Sequence, residues 1–291
     1  MMRRMSEQGP SRHARAARRE TPPPAPEPLA VPVLDSHTHL DIVGGDPAAQ
    51  IEAAAAVGVD RLVQVGTDVD SSRWAVRLAQ RHPEVVAAVG LHPNDAPRLS
   101  AADLDEALRV IDQLAGEPRV RAVGETGLDT FRTGPEGRAA QEASFRAQIA
   151  IAKRHGKALV IHDRDAHAEV LRVLDEEGPP ATVVMHCFSG DAEFARACVR
   201  RGFVLSFAGT VTFRNAPHLR EAAAVCPVDQ LLVETDAPFL TPMPYRGRPN
   251  APYLIPLTVR SLAQTKAVDL DALCAAISAT GERVFGRWRA S

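Results

Sequence analysis

At 291 residues, 45% hydrophobic and 24% charged, the chain has an ordinary globular composition and enough length for one closed α/β barrel or two smaller domains. A formal net charge of −2 excludes bulk attraction to nucleic acid, so a polyanion would have to be met by a local site. Two Trp, two Tyr and nine Phe are too few for a long base-stacking platform, and no run reaches the roughly 18 apolar residues of a membrane span.

Residues 1–29 hold six arginines and six prolines, including "TPPPAPEP", and almost no large apolar residue. Such a segment buries too little surface to offset its ordering entropy, so a disordered Arg/Pro-rich tail is expected. It lacks the apolar core of a secretory signal. From residue 30 onward the chain alternates regularly, and 30–291 is expected to be one domain. Short β-branched runs at 30–37, 61–67, 85–93, 120–129, 158–163, 182–188, 203–209 and 231–238 read as strands. Helical periodicity fills the gaps at about 46–57, 70–81, 103–114, 137–156, 165–176, 191–201 and 217–225, with two closing helices near 251–265 and 269–285. Near-continuous apolar strands alternating with helices predict a parallel sheet covered on its outer face. Eight such units point to a (β/α)8 TIM-type barrel, whose sites form at the C-terminal ends of the strands. An open doubly wound sheet is the alternative, but "DSHTHL" after the first strand is no Gly-rich phosphate loop. Cys187, Cys198, Cys226 and Cys274 form no close pair and read as buried thiols of a cytoplasmic protein.

What each strand ends with then matters most. His37 and His39 end the first, His92 the third, Glu125 and Asp129 the fourth, His162 the fifth, His186 the sixth, and Glu234 and Asp236 the eighth. A parallel barrel gathers these ends around one mouth. Residues two apart on a strand face one side, so His37 and His39 can reach a single ion. Imidazoles suit zinc-like ions and carboxylates harder ones. So many donors exceed one tetrahedral ion, whereas two ions sharing Glu125 would use them all, His162 and His186 serving the second. His82, His155, His167 and His218 fall in helices or loops and read as ordinary hydrogen-bonded histidines. Asp35 is expected to orient a ligating imidazole from behind, and Asp41 to start a loop. Cys187, beside His186, should point away from the site, and Ser189 is a candidate cap for the next helix.

The segments "DSHTHLD", "VGLHP", "VGETGLD", "VIHDRDA", "HCFSG", "GFVLSFAG", "ETDAPFLTP" and "YRGRPNAP" resemble the TatD family of metal-dependent deoxyribonucleases, in the family's order and over roughly residues 33 to 285. "HCFSG" and the "ETDAP" segment with its following Arg, Gly and Asn are the specific pieces. The resemblance implies metal ligands at His37, His39, Glu125, His162, His186 and Asp236, with two divalent ions (Mg²⁺, Mn²⁺ or Zn²⁺). It also implies hydrolysis of DNA phosphodiesters, as a 3′–5′ exonuclease on single-stranded ends. Asp236 is then general base as well as ligand, Glu125 the catalytic bridge, and His92, Arg164 and Arg246 substrate contacts. For Arg164 a salt bridge to Asp163 or Asp165 is the competing expectation, and for Arg248 a solvated loop. Thr130 and Thr126 depart from the family pattern, the former at a wall of the expected pocket. The competing function is a small-molecule amide, lactone or phosphoester hydrolase of the same superfamily. A non-catalytic relative is a third reading, against which every expected ligand is present. DNA is the expected partner, with no membrane, and a monomer is the default.

Overall fold

The structure, a computed structural model, describes residues 21–288. Eight strands run β1 Val33–Thr38, β2 Val59–Val65, β3 Val85–Val89, β4 Val120–Asp129, β5 Ala158–Arg164, β6 Val183–Met185, β7 Val204–Phe207 and β8 Leu231–Val233. All neighbouring pairs are parallel, in the order β1 to β8. The two ends of the sheet meet through a parallel bridge between Thr38 and Ala237. There Asp236 N–H donates to His37 O and His39 N–H to Ala237 O, each at 2.9 Å. The expected (β/α)8 barrel is the architecture observed.

The helices are α1 Leu40–Val43, α2 Pro47–Ala55, α3 Val69–Arg81, α4 Ala101–Ala115, α5 Arg138–His155, α6 His167–Glu177, α7 Ala192–Arg200, α8 Pro217–Val225, α9 Ile255–Lys266 and α10 Leu270–Phe285. Five of their starts are set by short polar side chains that accept orphan N–H groups, Asp46 at α2 among them. Asp68 and Ser71 form a reciprocal capping box on α3, Ser100 caps α4, Asp191 caps α7 and Asp269 caps α10. Asp191 therefore takes the place anticipated for Ser189, whose hydroxyl instead donates to Asp163 O at 3.1 Å. Buried Val, Leu, Ile and Ala side chains from strands and helices form one continuous core.

Three local differences from the sequence reading have physical causes. Strands β6 and β8 are shorter because Cys187 and Asp236 adopt left-handed φ values of 44° and 52° and lift the chain out of the ladder. Such residues cost about 1–3 kcal/mol each and persist where surrounding bonds hold them. Cys187 N–H donates to Glu234 Oε1 at 2.9 Å, and Phe239 N–H to Asp236 O at 2.8 Å. Asp41 belongs to the one-turn helix α1 and accepts from Gln64 Nε2 at 2.8 Å, where a loop was expected.

The expected 1–29 tail divides: residues 1–20 lie outside the described residues, but 21–29 lie against the barrel. Prolines have no N–H, so their carbonyls have no local partner and accept from the barrel instead. Arg248 donates to Thr21 O and Pro22 O, Tyr253 Oη to Pro23 O, and Arg260 to Pro28 O. Leu29 is buried, its N–H bonded to Val57 O.

Candidate metal centre

β4 sits close to β5 because its glycines allow it. A Cβ on Gly127, at φ +137°, would stand 2.1 Å from His162 O, and one on Gly124, at φ +144°, 2.4 Å from Val160 O. Glu125 lies between them, so the backbone freedom of "GETG" sets how near Glu125 comes to the fifth strand.

Glu125 is buried at the centre of five imidazoles. Its Oε2 faces His37 Nε2 at 3.4 Å and His39 Nε2 at 3.9 Å. Its Oε1 faces His162 Nδ1 at 2.7 Å, His186 Nε2 at 3.2 Å and His92 Nε2 at 3.4 Å. Asp236 Oδ1 completes the first side, 3.4 Å from His39 Nε2 and 4.0 Å from His37 Nε2. All six sequence-derived metal residues and His92 are thus brought together. His37, His39 and Glu125 form one group with ion-holding spacing, and His92, Glu125 and His162 another.

The donor set fits cations. His37 Nε2 and His39 Nε2 lie 3.1 Å apart, and His39 Nδ1 is 3.0 Å from Val65 O. A carbonyl only accepts, so His39 carries its proton on Nδ1 and turns a lone pair on Nε2 inward. Two imidazole nitrogens that close, beside two carboxylates, call for positive charge between them.

Without a cation, protons supply that charge. Burial works against ionising His162, but hydrogen bonds to Asp129 and Glu125 outweigh it and hold the ring at about 9. Burial likewise opposes a charged His186, yet Glu234 and Glu125 raise it well above the usual imidazole range. His39 is raised by Asp236 against its burial, while burial and the neighbouring His186 push His37 down. Burial would lift Glu125, but His186 and His92 keep it well below the carboxylate range. Asp236 is also lowered against its burial, chiefly by His39. Both carboxylates are therefore anionic at neutral pH.

Asp129 and Glu234 brace the ring from outside. Asp129 Oδ2 is 3.2 Å from His162 Nε2, and Glu234 Oε1 is 2.8 Å from His186 Nδ1. Asp35, anticipated in that role, does something else. Its carboxylate accepts from Thr235 N–H (2.9 Å), Thr235 Oγ1 and His37 N–H (3.2 Å), clamping β1 to the chain after β8. Burial pushes its carboxyl up to about 8.

The cluster lies in a cavity of about 590 Å³. Arg164 lines it, and its guanidinium stacks 4.0 Å over the Phe131 ring. The alternative salt bridge to Asp163 or Asp165 is not seen: among the described residues Arg164 has no carboxylate partner. Arg246 does not join the cavity wall. It lies 4.3 Å over Phe213 and donates to Asn215, while Arg248 is occupied by the Thr21–Pro22 carbonyls. Arg132, Arg98 and His218 do line the cavity and were missed, although Arg132 follows "GLD" closely enough to be suspected. Cys187 contributes to the wall rather than pointing away. Burial, then the Asp236 and Glu234 charges, raise its thiol far from nucleophilic use. Thr130 turns from the cavity and donates to Asp165 O at 2.6 Å.

The model of TatD related DNases matches residues 34–286. A metal-dependent hydrolase TatD of Mycobacterium tuberculosis is 49% identical over 80% of this chain and 89% of its own. A 3′-5′ ssDNA/RNA exonuclease TatD of Citrobacter rodentium is 37% identical over 81% of this chain and 90% of its own. The crystal structure of YjjV, a TatD homolog from Escherichia coli, superposes with a TM-score of 0.80 at 28% identity, covering 87% of this chain and 97% of that one.

Proposed function

Because the chain belongs to the TatD family of metal-dependent DNases, we propose that it hydrolyses phosphodiester bonds at the 3′ ends of single-stranded DNA with two divalent ions, Mg²⁺, Mn²⁺ or Zn²⁺. The observation that carries this reading is Glu125: one buried carboxylate whose two oxygens address two separate sets of imidazoles. His37, His39, Asp236 and Glu125 would hold one ion; Glu125, His162 and His186, with His92 beside them, would hold the other. Divalent ions there would neutralise charge on a phosphate and make a water more acidic.

The chain's own residues do the rest. Asp236, ionised and partly open to the cavity, accepts the proton of the attacking water as its oxygen bonds to phosphorus. The bond from phosphorus to the leaving sugar oxygen breaks as that oxygen takes a proton from solvent water, and Asp236 returns its proton to solvent. Arg164, a cation in the cavity without a carboxylate partner among the described residues, donates to the phosphate oxygens. His92 is within reach of the same phosphate. Four unpaired thiols suit work in the reducing cytoplasm. A lactone or amide hydrolase gains no comparable support from this site. The test is cleavage of 3′- and 5′-labelled single-stranded DNA with Mg²⁺, Mn²⁺ and Zn²⁺ in turn. Chelation, Glu125→Gln and His162→Ala should each abolish release of the 3′ label; undiminished cleavage after chelation and desalting would overturn the reading.

A further inference from the structure

Two large apolar side chains stand half in solvent at the cavity. Ile42 and Phe239 are each 51% exposed, and both belong to its wall. Their turns are fixed on the cluster itself. Ile42 N–H donates to His39 O at 3.0 Å and Phe239 N–H to Asp236 O at 2.8 Å, so each follows a cluster residue by three positions. Asn250, buried, donates to Phe239 O and, at 2.9 Å, to Thr235 O, locking the second turn. The Phe239 ring meets His39 edge-on at 6.5 Å between centroids. These turns leave β1 and β8, which adjoin at the barrel seam. Arg132 and Arg164 extend from the ends of β4 and β5, in the same cavity but across the barrel. The cavity therefore has the Ile42 and Phe239 side chains on one side and the Arg132 and Arg164 guanidiniums on the other, with Glu125 between.

An unpaired nucleotide is divided in the same way, into a flat apolar base and a charged phosphate. We propose that Phe239 and Ile42 form a subsite for the base of the terminal nucleotide, the base stacking on Phe239 with Ile42 at its edge. The backbone phosphates then lie toward Arg132 and Arg164. This rests on the phosphodiesterase reading of the same site. Every base has a π face, so the subsite tolerates any sequence.

The test compares steady-state cleavage of a strand with an ordinary terminal nucleotide and one whose terminal nucleotide lacks its base. Phe239→Ala should raise KM for the ordinary end about tenfold, in line with stacking strengths, with kcat within about threefold. It should not raise KM further for the baseless end. Phe239→Trp should keep the wild-type KM, and Ile42→Ala should move it the same way by less. Both side chains are half-exposed, and melting curves would verify that the variants fold. An unchanged KM for the ordinary end, or an equal rise for both ends, defeats the subsite alone. Wild-type protein that cleaves neither end defeats the phosphodiesterase reading and the subsite with it.

Discussion

Replacing Asp129 by Asn keeps the side-chain shape and removes one charge from the support of the cluster. Asp129 Oδ1 accepts from the N–H groups of Phe131 (3.0 Å) and Arg132 (2.8 Å); Oδ2 accepts from Asn94 Nδ2 (2.8 Å) and His162 Nε2 (3.2 Å). His162 is held at about 9 rather than 6.5, against a burial that lowers it, by Asp129 and Glu125 together. A rise of that size is worth roughly 3.5 kcal/mol at about 1.4 kcal/mol per pH unit. Two carboxylates share it, so Asp129→Asn should lower the His162 pKa by about one pH unit or more in metal-free protein. One Asn oxygen cannot serve all four donors: where it accepts from the ring, the amide NH2 meets the Phe131 and Arg132 N–H groups, so melting curves should accompany the titration to verify that the loop after β4 keeps its place. Titrating the ring C–H signals by NMR, with His162→Gln to assign them, measures this directly. In the loaded enzyme, loss of a support behind a ligand should reduce metal affinity about 10–100-fold, read by metal titration of cleavage rate. A His162 pKa unchanged within about 0.3, with unchanged metal affinity, would show that Asp129 does not brace this ring.

Protons and cations compete for the same nitrogens, and His162 near 9 with His186 raised means that ions must displace protons at pH 7. Metal affinity should therefore rise with pH, about tenfold per unit for each proton displaced, with the His162 contribution levelling off above pH 9, as followed by calorimetry. Metal-free protein should behave oppositely. A raised His162 contributes stability that is full below pH 6.5 and lost as pH passes 9, and Asp35, raised to about 8, adds cost from 3.8 upward. Its melting temperature should fall between pH 6 and 9.5, and a rise there would contradict the reading. Leu29→Ala should cost about 2–4 kcal/mol in urea unfolding, because the side chain is buried against the barrel; a cost near zero would mean that residues 21–29 detach in solution. Gly127→Ala puts a methyl 2.1 Å from His162 O and should lower both stability and cleavage, whereas Gly202→Ala, with open space around it, should cost only its backbone strain.

The barrel was readable because its staves are buried on both faces, so runs such as "VVAAV" stay apolar without alternating. The imidazoles were readable because each closes such a run, and parallel topology carries all run ends to one rim. What failed to show depends on partners far along the chain. Asp35 sits two residues before His37, which suggested support for a ring, but its donor is Thr235, 200 residues on. Arg164, Arg246 and Arg248 look alike in sequence. Only packing reveals that Phe213 and Asn215 hold Arg246 outside the cavity, and that the Thr21 and Pro22 carbonyls claim Arg248. The Pro-rich segment 21–29 misled in the same way. Its composition says that it buries little, which is true, but its unpaired carbonyls find donors on the barrel instead.

Closing the barrel and assembling the cluster are one physical event. β1 and β8 share little ladder, because β8 ends at Val233. Beyond it the seam is held by the Asp35–Thr235 clamp and by the bonds of Asp236 N–H to His37 O and His39 N–H to Ala237 O. These are the residues on which the first ion would rest, so any opening of the seam separates His37 and His39 from Asp236. A cation bound across them must in turn oppose that opening, since it binds the closed form alone. Hydrogen exchange at the Asp236 and His39 amides should therefore slow on metal loading by more than at β4 and β5, where the ladder is long without it. Equal slowing at both places would separate the seam from the cluster and refute the coupling.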